Sequence, residues 1–371
     1  MRAALAAEES QVALRGGRVL VPRLVRGRVP AQSGRPAELD PEGSVLIVGG
    51  TGMLGALVAE HVVGVWGVRH VVLASRRGGE APGAGELVER LGGLGAEVRV
   101  VAVDVSSADA VVGLVADAGS ERPLVGVVHA AGVLDDAVVT SLTSEQLGRV
   151  WAAKADVAAH LHAATEGLDL DLFLMFSSAA GVVGNAGQAG YAAANAYVDA
   201  LVAHRRALGL PGQSIAWGLW EQASEMTGHM GQAELTRLRG MRPLTAERGL
   251  ALLDAACHAP QALLVAVDLD VHGLAGAAEV PPLLRALAGR SRRRAAGADA
   301  QGPALAARLT GLTEAEQLDV VLDVVRGCVA AVLGFATAAD VRADAAFKEL
   351  GFDSLTAVEL RNRLSVVSGV R

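Results

Sequence analysis

The chain has little cysteine, few aromatic residues and no long apolar run. Only Cys257 and Cys328 occur, far apart, which argues against a disulfide framework or a thiolate metal site. Aromatic residues make up 3% and the formal net charge is −7, so nucleic-acid binding is not expected. No apolar stretch reaches about 18 residues, and the opening MRAALAAEES carries acids where a secretion signal would be apolar. We expect a cytoplasmic protein with no metal and no membrane or nucleic-acid partner.

The chain is rich in glycine and in short β-branched runs. It has 371 residues, of which 51% are hydrophobic and 45 are glycine, enough for a full core. Between residues 44 and 268, β-branched runs alternate with alanine-rich helical patterns, which is typical of βαβ units. The pattern predicts an α/β fold with a Rossmann-type, doubly wound parallel sheet of seven strands at 45–49, 71–75, 98–104, 125–130, 172–177, 214–217 and 263–268.

Other segments predict a second unit and its connections. ALRGGRVLVPRLVRG, within residues 1–40, suggests a β-hairpin with a Gly-Gly turn. The sheet unit is assigned to residues 41–277, and the polar segment from Glu221 to Thr245 suits a mobile lid. Residues 278–311 have the composition of a linker. From Leu312 to Arg371 helical periodicity returns, which predicts a small helical unit.

The first chemical motif is VGGTGMLG, between the first strand and the first helix. Glycines there let the backbone approach a pyrophosphate at the helix N-terminus, although a simple tight turn is the alternative. After the second strand, arginines stand where an NAD enzyme would place an acid; they fit a 2′-phosphate and favour NADPH over the alternative of exposed loop residues. The candidate cofactor residues of these two segments are Gly49, Thr51, Gly52, Met53, Leu54, Gly55, Ser75, Arg76 and Arg77.

Further cofactor contacts are expected at the carboxyl ends of the next two strands, where such sheets bind ligands. Asp104 and Val105 follow the third strand and are expected near the adenine. The run His129, Ala130, Ala131 and Gly132 follows the fourth and is expected beneath the nicotinamide ribose.

The run FSSAAGVVGNAGQAGYAAANAY contains Ser178, Tyr191 and Asn195, and Lys154 lies upstream. A tyrosine can protonate a carbonyl oxygen that is receiving a hydride if a nearby cation lowers its phenol pKa, and Lys154 is the natural cation. Ser178 could hydrogen-bond the same oxygen. Tyr191 and Asn195 are four apart and share a helix face. Singly, each is ordinary: a lone helical lysine usually faces water, and a serine can merely end a strand.

Together, GGTGMLG, ASRRG, HAAGVLDD, AAKADVAAHLH, the tyrosine run and SIAWGLW resemble the ketoreductase domain of modular type I polyketide synthases, over roughly residues 13–269. Short-chain dehydrogenases generally place a lysine four residues after the tyrosine, where this chain has Asn195. The resemblance implies that Tyr191 donates the proton, Ser178 supplies a second hydrogen bond, and Lys154 orients the cofactor ribose and lowers the pKa of Tyr191. It implies that Asn195 supports a water and the active-site helix.

The resemblance also carries a stereochemical expectation. Leu134, Asp135 and Asp136 form an LDD triplet similar to B-type ketoreductases, and the stretch GVVGNAGQ, which ends at Gln188, lacks the tryptophan typical of A-type domains. Ala193 stands where a proline would indicate epimerisation, so a B1-like domain and a D-3-hydroxyacyl product are expected. The alternative is a loop whose aspartates cap the next helix.

The motif LGFDSLTAVELRNRL resembles an acyl carrier protein, with Ser354 as the attachment residue for 4′-phosphopantetheine. The implied partners are a phosphopantetheinyl transferase, an acyl thioester substrate and other polyketide synthase domains. The segment 1–40 is interpreted as the tail of a structural subdomain, and the carrier as truncated at its C-terminus and incomplete. The expected function is NADPH-dependent reduction of a carrier-bound 3-oxoacyl thioester; the alternative is an impaired fragment that only presents acyl groups.

Overall fold

The computed structural model describes residues 9–27, 39–222, 241–271, 280–288 and 305–368, apart from positions 334, 336, 348, 351 and 353. Most of the predicted lid and of the predicted linker lie outside these ranges. The chain divides into two compact units. One comprises residues 26–229 and 241–270, and the other comprises 1–25, 230–240 and 271–371.

The strands in chain order are β1 (Ala13–Arg15), β2 (Arg18–Leu20), β3 (Ser44–Val48), β4 (His70–Ser75), β5 (Glu97–Ala102), β6 (Leu124–His129), β7 (Leu172–Ser178), β8 (Gln213–Trp217), β9 (Met241–Arg242), β10 (Leu263–Ala266) and β11 (Asp268–Leu269). The α-helices are α1 (Met53–Gly64), α2 (Ala84–Gly93), α3 (Ala108–Ala118), α4 (Ser144–Trp151), α5 (Val157–Thr165), α6 (Ala180–Val183), α7 (Ala189–Ala207), α8 (Ala246–Cys257), α9 (Leu305–Leu309), α10 (Glu314–Leu333) and α11 (Ser354–Ser368). A π-turn, Ala152–Asp156, joins α4 to α5.

The larger unit is built on a seven-stranded parallel sheet with the order β10-β8-β7-β6-β3-β4-β5. All seven predicted strands are confirmed, with ends that differ by one or two residues. Strand order reverses between β3 and β6, and the carboxyl ends of these two strands therefore form the crevice where doubly wound sheets bind ligands.

Both faces of the sheet are covered, as its β-branched runs require. On one face the strands pack against α1, α2 and α8 through residues such as Val62, Leu91 and Leu253. On the other they pack against α3, α5 and α7 through residues such as Leu161 and Val202. The predicted α/β Rossmann-type fold is thus confirmed. In the described part of the chain, no helix is both long and apolar enough to cross a bilayer.

The smaller unit contains the predicted hairpin and the helical region. β1 and β2 pair antiparallel around Gly16 and Gly17, whose positive φ angles of 52° and 74° explain the Gly-Gly turn. Glu9 forms ion pairs with Arg23 and Arg285, which connect the hairpin segment to residues 280–288.

The C-terminal helical region has a small core of its own. α10 and α11 pack together through Val329, Val332 and Leu360, with Val341 from the connecting segment and Leu364 at the margin. A cavity of about 430 Å³ lies beside α11 and is lined by Phe347, Phe352, Ala357, Leu360, Arg361, Leu364, Ser365 and Ser368. The prediction of a helical unit beyond Leu312 is confirmed.

Candidate active site at the carboxyl edge of the sheet

The glycine loop between β3 and α1 is closely packed. Gly49 has φ +83°, and a Cβ atom there would lie 2.7 Å from the backbone nitrogen of Ala131. A Cβ at Gly55 would lie 2.1 Å from the Gly49 carbonyl oxygen. Gly52 directly precedes α1, whose first residues Met53 and Leu54 pack on the core. The loop therefore presents backbone at a helix N-terminus, which fits a dinucleotide pyrophosphate.

The end of β4 is fixed to this loop by side chains. Thr51 Oγ1 donates to Ser75 Oγ at 2.8 Å, and Ser75 Oγ accepts from the Gly78 backbone nitrogen at 3.0 Å. Arg76 and Arg77 follow and are exposed. The edge of the sheet thus places two cations one strand away from the glycine loop, which suits a 2′-phosphate.

The ends of β5 and β6 border the same crevice. Hydrogen bonds from Ser106 and, more weakly, the charge of Arg76 lower the pKa of Asp104, while Val105 packs on the core. Ala130 donates its backbone N–H to the Val48 carbonyl at 2.9 Å. The backbone from Ala130 to Gly132 therefore runs beside the glycine loop, and Gly132 is partly buried. Its place beneath a nicotinamide ribose stays a prediction.

Lys154 lies in the π-turn and is buried, with only 4% exposure. Its Nζ donates to the Ala131 carbonyl at 2.9 Å. Desolvation lowers the Lys154 pKa to about 8, against the opposing attraction of Asp199. The ordinary alternative, a lysine facing water, is therefore wrong.

Tyr191, Ser178 and Asn195 lie together at the end of β7 and the start of α7. Tyr191 lies in the first turn of α7 and packs against α4 and the π-turn through Val150 and Ala155. Ser178, at the end of β7, lies close enough to lower the pKa of the Tyr191 phenol. Asn195 is fully buried. Its Nδ2 donates to the Tyr191 carbonyl at 2.8 Å, and its Oδ1 has no hydrogen-bond partner among the described residues.

Burial, rather than a nearby cation, is the largest influence on the pKa of the Tyr191 phenol in this structure, and the lowering by Lys154 stays a prediction. Burial raises the pKa of the Tyr191 phenol, and hydrogen bonds with Asn195 and Ser178 only partly oppose it. The charge of Asp136 raises it further. Desolvation dominates because the phenol is enclosed by α4 and the π-turn, so Tyr191 keeps its proton at neutral pH.

The loop after β6 is held by charged hydrogen bonds. Arg149 Nε and Gln146 Nε2 donate to the Asp135 carboxylate at 2.7 and 2.9 Å. Gln188 Nε2 donates to Asp136 at 2.8 Å. These contacts join the segment that contains Leu134 to α4 and to the N-terminus of α7, beside Tyr191. The alternative in which both aspartates merely cap a helix does not fit, because Thr143 caps α4.

Two further buried polar residues lie near the site: His129, which sequence reasoning named only as part of the run after the fourth strand, and Asp199, which it did not name. His129 ends β6 fully buried, and neither ring nitrogen has a hydrogen-bond partner among the described residues. Desolvation and the Lys154 charge hold the His129 pKa well below its usual range. Asp199 is buried on α7 and accepts a hydrogen bond from Ser214 Oγ at 2.6 Å. The spacing of Asp199, eight residues after Tyr191, could have placed it on the same helix face.

The attachment residue predicted for the carrier begins a helix. Ser354 is the first residue of α11, while Asp353 lies outside the described residues. Elsewhere, desolvation raises the pKa of the partly buried Cys257 thiol to about 12. Within the described ranges, no group of three His, Cys, Asp or Glu side chains could hold a metal ion.

A dinucleotide-type crevice, a buried lysine and a tyrosine-serine pair on one sheet edge define a short-chain-dehydrogenase-like reductase fold. Comparison with known families is more specific. The KR domain family matches residues 43–222, and the phosphopantetheine attachment site family matches residues 323–371. The chain is 50% identical over 375 residues to polyketide synthase GfsA from Streptomyces halstedii, covering 98% of this chain and 5% of that protein. It is 47% identical to the spectinabilin polyketide synthase system protein NorA′ from Streptomyces orinoci, covering 100% of this chain and 10% of that protein.

Solved structures agree with this result. The chain is 39% identical to the PlmKR1 ketoreductase from the first module of phoslactomycin biosynthesis in Streptomyces sp. HK803, with a TM-score of 0.68, covering 76% of this chain and 67% of that one. An A1-type ketoreductase is 40% identical, also with a TM-score of 0.68, over 76% of this chain and 59% of that one. The chain therefore belongs to the ketoreductase domains of polyketide synthases, which are oxidoreductases, and it also carries a phosphopantetheine attachment segment. It spans a twentieth to a tenth of the two curated relatives.

Proposed function

We propose that the chain reduces the 3-oxo group of a carrier-bound acyl thioester to a D-3-hydroxyacyl thioester, with NADPH as reductant, within a larger polyketide synthase. The observation that carries this proposal is the convergence of Tyr191, Ser178 and Lys154 beside a glycine loop at the strand-order reversal. NADPH supplies a hydride when it is bound. The residues that would hold its diphosphate and ribose groups lie at the ends of β3, β4, β5 and β6.

The side chains then handle the proton. Tyr191 enters the reaction protonated because burial raises its pKa, and it donates to the oxygen that becomes the alcohol. Ser178 donates a hydrogen bond to the same oxygen and so stabilises the developing negative charge. Lys154 contributes positive charge near the cofactor ribose, and Asn195 braces the first turn of α7 through the Tyr191 carbonyl.

Cofactor choice and stereochemistry are further parts of the proposal. Exposed Arg76 and Arg77 favour NADPH over NADH. The LDD triplet supports a B1-like domain, and the hydrogen bond between Gln188 and Asp136 fixes this loop at one side of Tyr191. The related structures include A-type and C2-type ketoreductases, so the B1-like assignment rests on the triplet itself.

The carrier segment would supply the substrate. Ser354 at the start of α11 would bear 4′-phosphopantetheine, added by a phosphopantetheinyl transferase from coenzyme A. A thioester on this arm reaches the reductase as an intramolecular substrate at high effective concentration. Intact mass after transferase treatment tests the site: the wild type and Ser365→Ala should gain one phosphopantetheine, and Ser354→Ala none.

The reductase test follows NADPH oxidation with a soluble 3-oxoacyl thioester. Tyr191→Phe should reduce the rate by about 100-fold or more because the proton donor is lost. Tyr197→Phe is the matched control, because Tyr197 is more exposed on the same helix and packs on Trp151. Chiral analysis of the product should give the D isomer. Equal rates for the wild type and Tyr191→Phe would refute the assignment, and NADPH binding without turnover would favour a carrier-only function.

A further inference from the structure

Two segments of the chain meet beside Tyr191. One is the loop after β6, and the other is the turn that leads into α7, whose first turn contains Tyr191. Ala137 donates its backbone N–H to the Gly187 carbonyl at 2.9 Å, and Ala137 and Gln188 form an isolated parallel bridge. The bridge places Gln188, three residues before Tyr191, against Asp136.

The side chains of Asn185, Gln188 and Asp136 form an amide relay with a fixed direction. Asn185 Nδ2 donates to Gln188 Oε1 at 3.1 Å, and Gln188 Nε2 donates to Asp136 Oδ2 at 2.8 Å. An ionised carboxylate only accepts hydrogen bonds, so Gln188 must turn its NH₂ group toward Asp136 and its oxygen away. That oxygen needs a donor, and Asn185 supplies it. The residue at position 185 therefore decides which end of the Gln188 amide faces Asp136.

The neighbouring carboxylate is held from the opposite side of the loop. Gln146 Nε2 and Arg149 Nε on α4 donate to Asp135 at 2.9 and 2.7 Å. Asp135 and Asp136 thus diverge, one toward α4 and the other toward the start of α7. Asp136 is the exposed member of the pair, and water competes for its oxygens. Its orientation therefore depends on the donor that the amide relay presents to it.

We infer that Asn185 is a positioning residue of the reductase site, which sets the direction of the Gln188 amide and through it holds Asp136 beside Tyr191. The charge of Asp136 acts on the Tyr191 phenol, whose pKa it raises. The effect on the product rests on the proposed function. A thioester whose 3-oxo group lies at Tyr191 also lies beside this loop, so the loop limits the orientations that the substrate can take.

The main test is Asn185→Asp, which keeps the size of the side chain but replaces its donor with an acceptor. Two carboxylates then flank the Gln188 amide, and its NH₂ group can face only one of them. We expect KM for a soluble 3-oxoacyl thioester to rise about tenfold, while kcat changes less than about twofold, because substrate orientation rather than proton transfer is affected. Chiral analysis should show a smaller excess of the D isomer.

Ser141→Ala is the matched control. It removes another side-chain hydrogen bond of the same loop, from Ser141 Oγ to the Val138 carbonyl at 3.2 Å. Because this bond lies outside the amide relay, KM and the isomer ratio should stay at their wild-type values.

Two double variants test the direction of the relay and its route. Asn185→Asp combined with Asp136→Asn reverses every donor and acceptor: the new amide at position 136 donates to Gln188 Oε1, and Gln188 Nε2 donates to the new carboxylate at position 185. This pair should have a lower KM and a larger D excess than Asn185→Asp alone. Asn185→Ala should add no further loss to Gln188→Ala, because Asn185 acts through Gln188. The alanine pair keeps the test available if Asn185→Asp fails to fold.

The midpoint of urea unfolding gives a second readout that needs no substrate. Asn185→Asp should lower this midpoint, and the reversed pair should raise it again, because the Gln188 amide regains a donor and an acceptor. Wild-type KM and isomer ratio in Asn185→Asp, or a reversed pair no better than Asn185→Asp in KM and in urea, would overturn the inference. If the wild type reduces no thioester while the urea midpoints show this pattern, the proposed function fails and the amide relay stands.

Discussion

Replacing Lys154 with methionine should abolish reduction and at the same time stabilise the sheet unit near neutral pH. The lysine is buried, and desolvation of its ammonium outweighs the attraction of Asp199. Methionine has a similar length, no charge to desolvate and enough flexibility to fill the same space. Catalytic residues held in such unfavourable surroundings are a common cause of a trade between activity and stability.

The size of the effect follows from the Lys154 pKa. The unfolded chain keeps the lysine proton up to its ordinary pKa of 10.5, whereas the folded protein loses it near pH 8. Below pH 8 this difference disfavours the folded state by about 3 kcal/mol, since each pKa unit is worth about 1.4 kcal/mol. The penalty disappears as the pH rises from 8 to 10.5. Loss of the hydrogen bond to the Ala131 carbonyl offsets about 1 kcal/mol, which leaves an expected gain of about 2 kcal/mol at pH 7.

Urea denaturation followed by tryptophan fluorescence measures this gain. All four tryptophans, Trp66, Trp151, Trp217 and Trp220, lie in the sheet unit, so the signal reports that unit alone. The methionine variant should be more stable than the wild type at pH 7. The difference in the free energy of unfolding should shrink toward pH 10.5 because the penalty from the lysine disappears. The titration of all other groups is common to both proteins and cancels in this difference. A variant less stable at pH 7, or a difference independent of pH, would refute the reasoning.

Three other substitutions test different parts of the fold. Gly55→Ala should weaken NADPH binding at least about tenfold, because its Cβ would lie 2.1 Å from the Gly49 carbonyl oxygen. The control Gly64→Ala, whose Cβ would make only an ordinary contact at 3.7 Å, should bind NADPH normally. A titration with NADPH, followed by fluorescence, measures both variants. Arg76→Glu should lower kcat/KM for NADPH by about tenfold or more, while kcat/KM for NADH changes little. An equal loss with both cofactors would contradict a contact between Arg76 and the 2′-phosphate. Asp254→Ala should lower the free energy of unfolding, measured in urea, by about 2–4 kcal/mol, because the buried His61 Nε2 and Trp66 Nε1 lose their shared acceptor, Asp254 Oδ1. A change below about 1 kcal/mol would argue against a stabilising role of these two hydrogen bonds.

The sequence pattern was sufficient for the sheet because its strands are short β-branched runs whose order follows from right-handed crossovers. It was also sufficient to bring the glycine loop, Arg76 and Tyr191 to one edge, since parallel strands end there together. It could not give the surroundings of Lys154. The desolvation that governs the lysine depends on packing between α7 and the π-turn, and the charge of Asp199 that acts on it lies 45 residues later in the chain. For the same reason the sequence could not show that burial raises the pKa of Tyr191.

The π-turn explains how a lysine outside the tyrosine helix can serve the site. A π-turn holds one residue more than an α-helical turn, and each residue in a helix rotates the side-chain direction by about 100°. The extra residue in Ala152–Asp156 therefore reorients Lys154 relative to α4, toward the Ala131 carbonyl and the charge of Asp199. The Asn195 side chain carries no charge and instead donates a hydrogen bond from its Nδ2 to the backbone carbonyl of Tyr191. The exchange of lysine and asparagine thus goes together with a π-turn, which orients the buried Lys154 toward the Ala131 carbonyl, and with an asparagine that holds the backbone of Tyr191.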